Sequence, residues 1–365
     1  MALLSSPPPF SPQGILMRDM LTGLAIGLAG GLAFWAIGVP APWLAGSMMA
    51  AIAAAFLGIG IAVPNWLRAC AFVLLGIQTG TAVSWETVER AAQWPLSIAF
   101  LAITVIVVTV ACTWYYVARG GWDKPTALFA SLPGALSLTL LLASTTSADM
   151  RRVTIAQCMR LLFLVALLPS LISWLSPPEA LYVLPEEIDS FSSLLIVVAG
   201  AAAAGYLCEV LRVPAGLILG AILASAAFEL SGIVSGAAPA SILIPANVVL
   251  GVLIGMRFSD FSFAEFREAL KDGLAGSLIA MLIAMAGAAV ASLAADLPLA
   301  LTLLAFAPGG LEAMTIMAFA LHLDPAYVGA HQMARYMGLA LLMPLVTAYA
   351  LRWMGVDAKR VVEDR

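Results

Sequence analysis

The sequence is short of charge. Only 10% of its 365 residues are Asp, Glu, Lys or Arg, against 62% that are hydrophobic. Soluble domains carry roughly a quarter charged residues, so this chain has too little polar surface to cover a globule in water. Lipid tolerates such a surface, and the mean hydropathy of +1.03 reads as an integral membrane protein. Histidine is scarcer still. The chain has only His322 and His331, whereas a copper or iron oxygenase centre wants clustered histidines and carboxylates. Cysteine is limited to Cys70, Cys112, Cys158 and Cys208, each in an apolar segment and far from the others. That pattern has no ligand or redox spacing and reads as packing. Cations are spread over short loops rather than gathered in a patch, which argues against a nucleic-acid partner. No metal, cofactor or enzymatic activity is expected from this inventory. The opening "MALLSSPPPFSPQG" has no basic region leading into an apolar stretch, so it does not read as a cleaved signal peptide. Its three consecutive prolines read as a disordered lead over residues 1–19.

What the sequence does have is a copy of itself. A shift of 175 superposes Gly76 on Gly251, Gly80 on Gly255, Pro133 on Pro308 and Gly134 on Gly309. The same shift puts Asp149 on Asp324, Gln157 on Gln332, Arg160 on Arg335 and Pro169 on Pro344. A shift of 174 aligns "VPAPWLAGSMMA" with "VPAGLILGAILA". Matched Leu or Ala would be cheap in so apolar a chain, but matched Pro, Gly, Asp, Gln and Arg at one offset signal duplication. The copies span 20–175 and 191–352, joined by an acidic linker over 176–190 and followed by a tail over 353–365. Apolar stretches fall near 20–38, 41–63, 66–83, 94–118, 126–146 and 153–175, then near 191–209, 213–235, 243–257, 273–295, 299–321 and 326–352. A spanning helix needs about 20 apolar residues, which most of these supply.

The fifth stretch of each copy is broken by Pro and Gly, in "SLPGALS" and "APGGLE". Whether it crosses decides the topology, and the positive-inside rule arbitrates. If every stretch crosses, eight loop and tail cations fall inside and seven outside. If the broken stretch dips in and returns, fourteen fall inside and only Arg90 outside. The second arrangement predicts about five crossings per copy, hence an all-α polytopic membrane protein of two inverted-topology repeats. Each repeat then contains a Pro-Gly broken or re-entrant segment. Both termini are expected in the cytoplasm of a bacterium, with the linker on the outer side of the inner membrane. Inverted repeats with interrupted helices are an architecture of secondary transporters.

Irregular backbone at membrane depth survives only where protein buries it or it lines a watery cavity. Pro133, Gly134, Pro308, Gly309 and Gly310 are therefore candidate site residues. Amides freed after each proline would start a new helix, and such N-termini attract anions. Glu312 follows the second break, while Ser137 stands at its equivalent in the first copy. A mid-membrane charge costs roughly 2.5–3.5 kcal/mol on insertion scales. Glu312 must therefore either pin the loop through a salt bridge or handle protons and substrate. Gln157 and Arg160 share a helix face, as do Gln332 and Arg335, with His331 on the latter face. The two arginines cannot shed charge and need carboxylates, phosphates or carbonyls. Asp149 precedes one of these helices and Asp324 the other; Asp324, followed at once by Pro325, reads as an N-cap, His322 as an exposed loop residue, and Gly23, Gly27 and Gly31 as a helix-contact ladder.

These motifs resemble the bacterial AbrB duplication family of membrane proteins. The resemblance rests on "PWLAGSMMAA", "SLPGALS", "TIAQCMR", "PAGLILGAILAS", "IGMRFS" and "APGGLEAM…LHLDPAYVGAHQMAR", and it covers roughly residues 20–352. It implies the labels attached to such proteins, an ammonia monooxygenase or an AbrB-type regulator of gene expression. The residues themselves point to a secondary transporter or permease for a small anionic solute, with proton coupling through Glu312. Its expected partners are the lipid bilayer and that solute, and the sequence leaves homo-oligomer formation open.

Overall fold

In lipid, backbone polar groups must be satisfied within the chain, and helices do this segment by segment. The computed structural model describes residues 17–133, 136–144, 146–175, 187–188, 190–211, 213 and 215–353, with 93, 136–138, 141, 312 and 342–353 described by backbone alone. Among the described residues the structure is helical, apart from one isolated bridge between Glu187 and Ala237. The chain opens with α1 (Met17–Ala36), α2 (Pro42–Phe56), α3 (Asn65–Gly80), a short α4 (Trp85–Arg90) and α5 (Trp94–Ala118). Then come α6 (Lys124–Ser131), α7 (Leu136–Ala143) and α8 (Met150–Leu175), which close the first half. The second half holds α9 (Phe191–Val210), α10 (Gly216–Ser231), α11 (Ala240–Gly255) and α12 (Phe263–Ala295). It ends in α13 (Leu299–Phe306), α14 (Leu311–Ala320) and α15 (Pro325–Trp353).

Among the described residues, six helices are long and apolar enough to cross a membrane: α1, α5, α8, α9, α12, and α11 with the 3₁₀ turn after it. Helices α2 and α10 are apolar but short, at 15 and 16 residues. The stretch near 41–63 yields so short a helix because the chain turns at Gly58, whose φ of +71° suits glycine. In contrast, α12 begins ten residues before its apolar stretch. Ser262 and Glu265 form a reciprocal capping box there, which satisfies amides that the polar sequence would leave open.

Matched glycines sit where helices cross. A Cβ on Gly251 would come 2.7 Å from the carbonyl oxygen of Leu44, and one on Gly255 2.7 Å from that of Met48. A Cβ on Gly76 would come 2.9 Å from the oxygen of Ile218. These contacts bring α11 onto α2 and α3 onto α10 at backbone distance. The ladder Gly23, Gly27 and Gly31 is buried as expected and faces Val252, Val248 and Trp43. Elsewhere α1 lies against α2 and α11, α9 against α10 and α3, and α5 crosses α12.

The helices that lead into the breaks are inside the protein. Helix α13 is buried from Ala300 to Phe306 and α6 from Pro125 to Ser131. A helix apolar on all sides belongs in such a place. Each has 8 residues, about 12 Å of rise against a hydrocarbon core of about 30 Å. The start of α8 meets the start of α6: the Asp149 amide donates to Thr126 Oγ1 at 2.7 Å. The Arg152 guanidinium lies 5.7 Å from the centroid of Trp122, a cation–π distance.

Candidate functional site

Helices α8 and α15 each present a glutamine and an arginine, three apart, to the end of a half-length helix. Gln157 Nε2 donates to the carbonyl of Phe129 at 3.0 Å, and an Arg160 terminal nitrogen donates to that of Leu132 at 3.2 Å. In the second half Gln332 Nε2 reaches the carbonyls of Ala305 at 3.1 Å, Ala307 at 3.2 Å and Leu304 at 3.4 Å. Arg335 donates to the Ala307 carbonyl at 2.6 Å, and also to the Gly309 carbonyl and to Gln332 Oε1. The targets correspond at the 175-residue shift: Phe129 with Leu304, and Leu132 with Ala307.

The physical need is plain. The last four carbonyls of a helix have no partner within it, and they carry the negative end of the helix dipole. Proline at the break removes a donor that could have continued the ladder. A planar cation and an amide on the next long helix supply the missing donors. Of the three counter-groups that the sequence allows for the arginines, the structure uses carbonyls. Both guanidinium groups are buried, Arg160 at 6% exposure and Arg335 at 7%. Each keeps a buried Nε without a hydrogen-bond partner among the described residues. The described salt bridges all lie elsewhere, on Arg18, Arg90, Arg151 and Arg152.

The second break runs from Ala307 to Gly310, with Gly310 extended at φ −86° and ψ 150° before α14. No side chain among the described residues caps the α14 N-terminus. Pro308 and Gly309 are buried in this bend. Glu312 is the second residue of α14; its side chain lies outside the described residues, as does that of Ser137. In the first break Pro133 is buried, and Gly134 lies outside the described residues. Asp324 caps as expected, and Asp149 does the same: Asp149 Oδ1 accepts from the amides of Arg151 and Arg152 at 3.0 and 3.1 Å. Asp324 Oδ1 accepts from those of Ala326 and Tyr327 at 2.8 and 3.2 Å. His322 is exposed, with φ +55°.

His331 is fully buried, and its neighbours are not legible in the sequence. Its Nδ1 meets the Tyr327 carbonyl at 2.8 Å and its Nε2 meets Ser97 Oγ at 2.7 Å. A carbonyl only accepts, so Nδ1 carries the proton, while the single proton of the Ser97 hydroxyl lies between Nε2 and the Trp94 carbonyl 3.0 Å away. Tyr327 packs on the imidazole at 3.9 Å between centroids, with Phe306 at 6.4 Å and Trp94 at 6.3 Å. The ring is locked between α5, α13 and α15.

Beside Arg160 lies a small polar cavity whose wall includes Cys112, Tyr116, Ser131 and Ser277. By its sequence context Cys112 is a packing residue, and no motif marks the other three. Cys112 and Cys158 are indeed buried, but Cys70 is exposed. Among the described residues no group of three or more His, Cys, Asp or Glu could hold a metal ion.

Comparison with known proteins adds the family. The chain is 26% identical over 342 residues to "Putative regulator AbrB" of Escherichia coli (strain K12), covering 92% of this chain and 97% of that protein. It is 24% identical over 359 residues to "Uncharacterized protein YhjN" of Bacillus subtilis (strain 168), covering 90% of this chain and 92% of that one. The family model "AbrB: Transition state regulatory protein AbrB" matches residues 43–351. With both breaks, both Gln–Arg pairs and nearly all of the apolar helices inside that match, the chain belongs to the AbrB family.

Proposed function

We propose that this protein is an inner-membrane secondary transporter, or permease, for a small anionic solute, and that it is not an enzyme. The observation that carries the reading is the pair of half-length buried helices, each closed at its carbonyl end by a Gln–Arg pair from the next long helix. Soluble proteins have little use for breaks of this kind, whereas transporters use them to bring unpaired backbone to a mid-membrane site. The partner exchange between halves supports inverted repeats: α2 meets α11 as α10 meets α3, and α1 meets α11 as α9 meets α3. The joined starts of α6 and α8 support a re-entrant break. On this reading both termini are cytoplasmic.

The anion preference rests on charge. Two buried guanidinium groups close the two breaks, and described carboxylates pair with neither. On this reading an anion that reaches both breaks gains from both guanidinium groups. Glu312, in the first turn of α14, is the group we assign to proton coupling. The printed name of the E. coli relative speaks of regulation, and movement of an effector across the membrane accommodates that without a soluble DNA-reading domain. The test is exchange of labelled small carboxylates by purified protein in liposomes, with candidates ranked by thermal shift. Saturable exchange of an anion is the expected result. Exchange of cations alone, or none for any solute that stabilises the protein, would overturn the reading.

A further inference from the structure

The two arginines have different surroundings, and the difference leaves a site in the first half only. At the 175-residue shift, the positions of Ser131, Ala156 and Tyr116 correspond to Phe306, His331 and Ala291. Phe306 and His331 stack on one another, with His331 held by Ser97 and Tyr327. The rings of Phe306 and His331 thus stand where the first half has Ser131 and Ala156, while the Tyr116 ring stands where the second half has Ala291. Arg160 instead borders a cavity with Cys112, Tyr116, Ser131 and Ser277, with room for about one water-sized occupant.

The donors around this cavity are unevenly used. Ser131 Oγ donates to the Ala127 carbonyl and Ser277 Oγ to that of Gly273, each at 2.6 Å. The Cys112 thiol donates to the Gly276 carbonyl at 3.5 Å. Arg160 Nε is buried without a partner among the described residues, and Tyr116 lies on the same cavity wall. Tyr116 is itself positioned firmly: its ring stacks on Trp122 at 4.5 Å with planes 17° apart. Its hydroxyl end fits against Gly276, where a Cβ would come 2.5 Å from Tyr116 Cζ. The nearby carboxylate of Asp272 already accepts from the Trp122 indole at 3.2 Å and is not on the cavity wall.

We propose that this cavity is a binding site for a monatomic anion, a halide, held by Arg160 Nε–H and the Tyr116 hydroxyl. A buried guanidinium that no described carboxylate pairs with carries a desolvation cost that an anion offsets and a neutral water does not. The space is too small for a carboxylate or phosphate. The inference shares the anion preference proposed above but does not depend on transport.

The test uses the full-length protein in detergent, with chloride replacing gluconate at constant ionic strength. The thermal midpoint of the wild type should rise saturably with chloride. Tyr116→Phe keeps the stack on Trp122 and removes one donor, so at least a tenfold higher chloride concentration should be needed. Crystals grown in bromide should show an anomalous peak between Arg160 and Tyr116, a readout that needs no variant to fold. A wild type indifferent to chloride, an unchanged response in Tyr116→Phe, or a bromide map with only water at this place would each overturn the proposal. Chloride binding by a protein that moves no solute would leave it standing while removing the transport reading.

Discussion

At the scale of single residues, the Gln–Arg pairs are closing devices for broken helices before they are anything else. Hydrogen bonds to charged groups contribute roughly 1.5–3 kcal/mol each, and an orphaned buried polar group costs roughly 1–3 kcal/mol. Gln332 serves more carbonyls than Gln157 and also accepts from Arg335. Gln332→Leu should therefore lower the thermal midpoint of the purified protein further than Gln157→Leu, with each losing on the order of 1–3 kcal/mol. Equal midpoints would mean that the extra bonds carry little. Glu312 makes a different kind of prediction. Glu312→Gln keeps the shape and loses the titrating group, so the protein should fold and exchange solute with its pH dependence flattened. Proteoliposome exchange measured across a pH series decides this, and an unaltered profile would assign Glu312 to structure. The sequence announces these residues through repetition: Gln and Arg recur at one offset in both copies. It cannot announce their partners, because carbonyls belong to every residue and only the break makes particular ones available. Ser97 and Tyr327 give no signal at all, since a hydroxyl and an aromatic in apolar helices look like ordinary packing.

At the scale of elements, small residues decide which helices meet. Gly251 and Gly255 let α11 approach the carbonyls of α2, and branched side chains there would push the helices apart. Gly251→Val should destabilise the protein by about 1–3 kcal/mol through overpacking, visible as a lower detergent melting point. The exposed Gly232, with no atom within 4 Å of a built Cβ, offers a contrast: Gly232→Asn should change the midpoint little, because Asn tolerates the left-handed backbone. The breaks, the caps and the helix-contact glycines are legible because each rests on a residue type with one dominant physical reason. The length of α12 is not. Its first ten residues carry five charged side chains among apolar ones, and the reciprocal bonds of Ser262 and Glu265 show that the helix extends through them.

At the scale of the molecule, apolar composition and duplication are plain from the residues, while the exchange of partners between halves appears only in three dimensions. Arg151 meets Glu265 at 2.8 Å, joining the start of α8 to the start of α12 at one end of the bundle. On the proposed topology that end is cytoplasmic. Cysteines introduced at Lys124 and Ser147, both exposed, should then react with a membrane-impermeant thiol reagent only in inverted vesicles. A cysteine at exposed Ser190 should react in intact cells. Labelling of Lys124→Cys and Ser147→Cys from opposite sides would contradict a re-entrant break.

The spacing between each half-helix and its arginine has a consequence for how the protein is made. Leu132 and Ala307 are each followed by their guanidinium partner 28 residues later. At synthesis rates of roughly 5–20 residues per second, each half-helix waits a few seconds before its partner is even built. During that interval a short apolar segment with unsatisfied carbonyls must be sheltered by the insertion machinery or by helices already delivered. Chain elongation is thus an ordered assembly clock: α8 and α15 act as late-arriving latches, and pauses between break and latch should raise the yield of degraded protein.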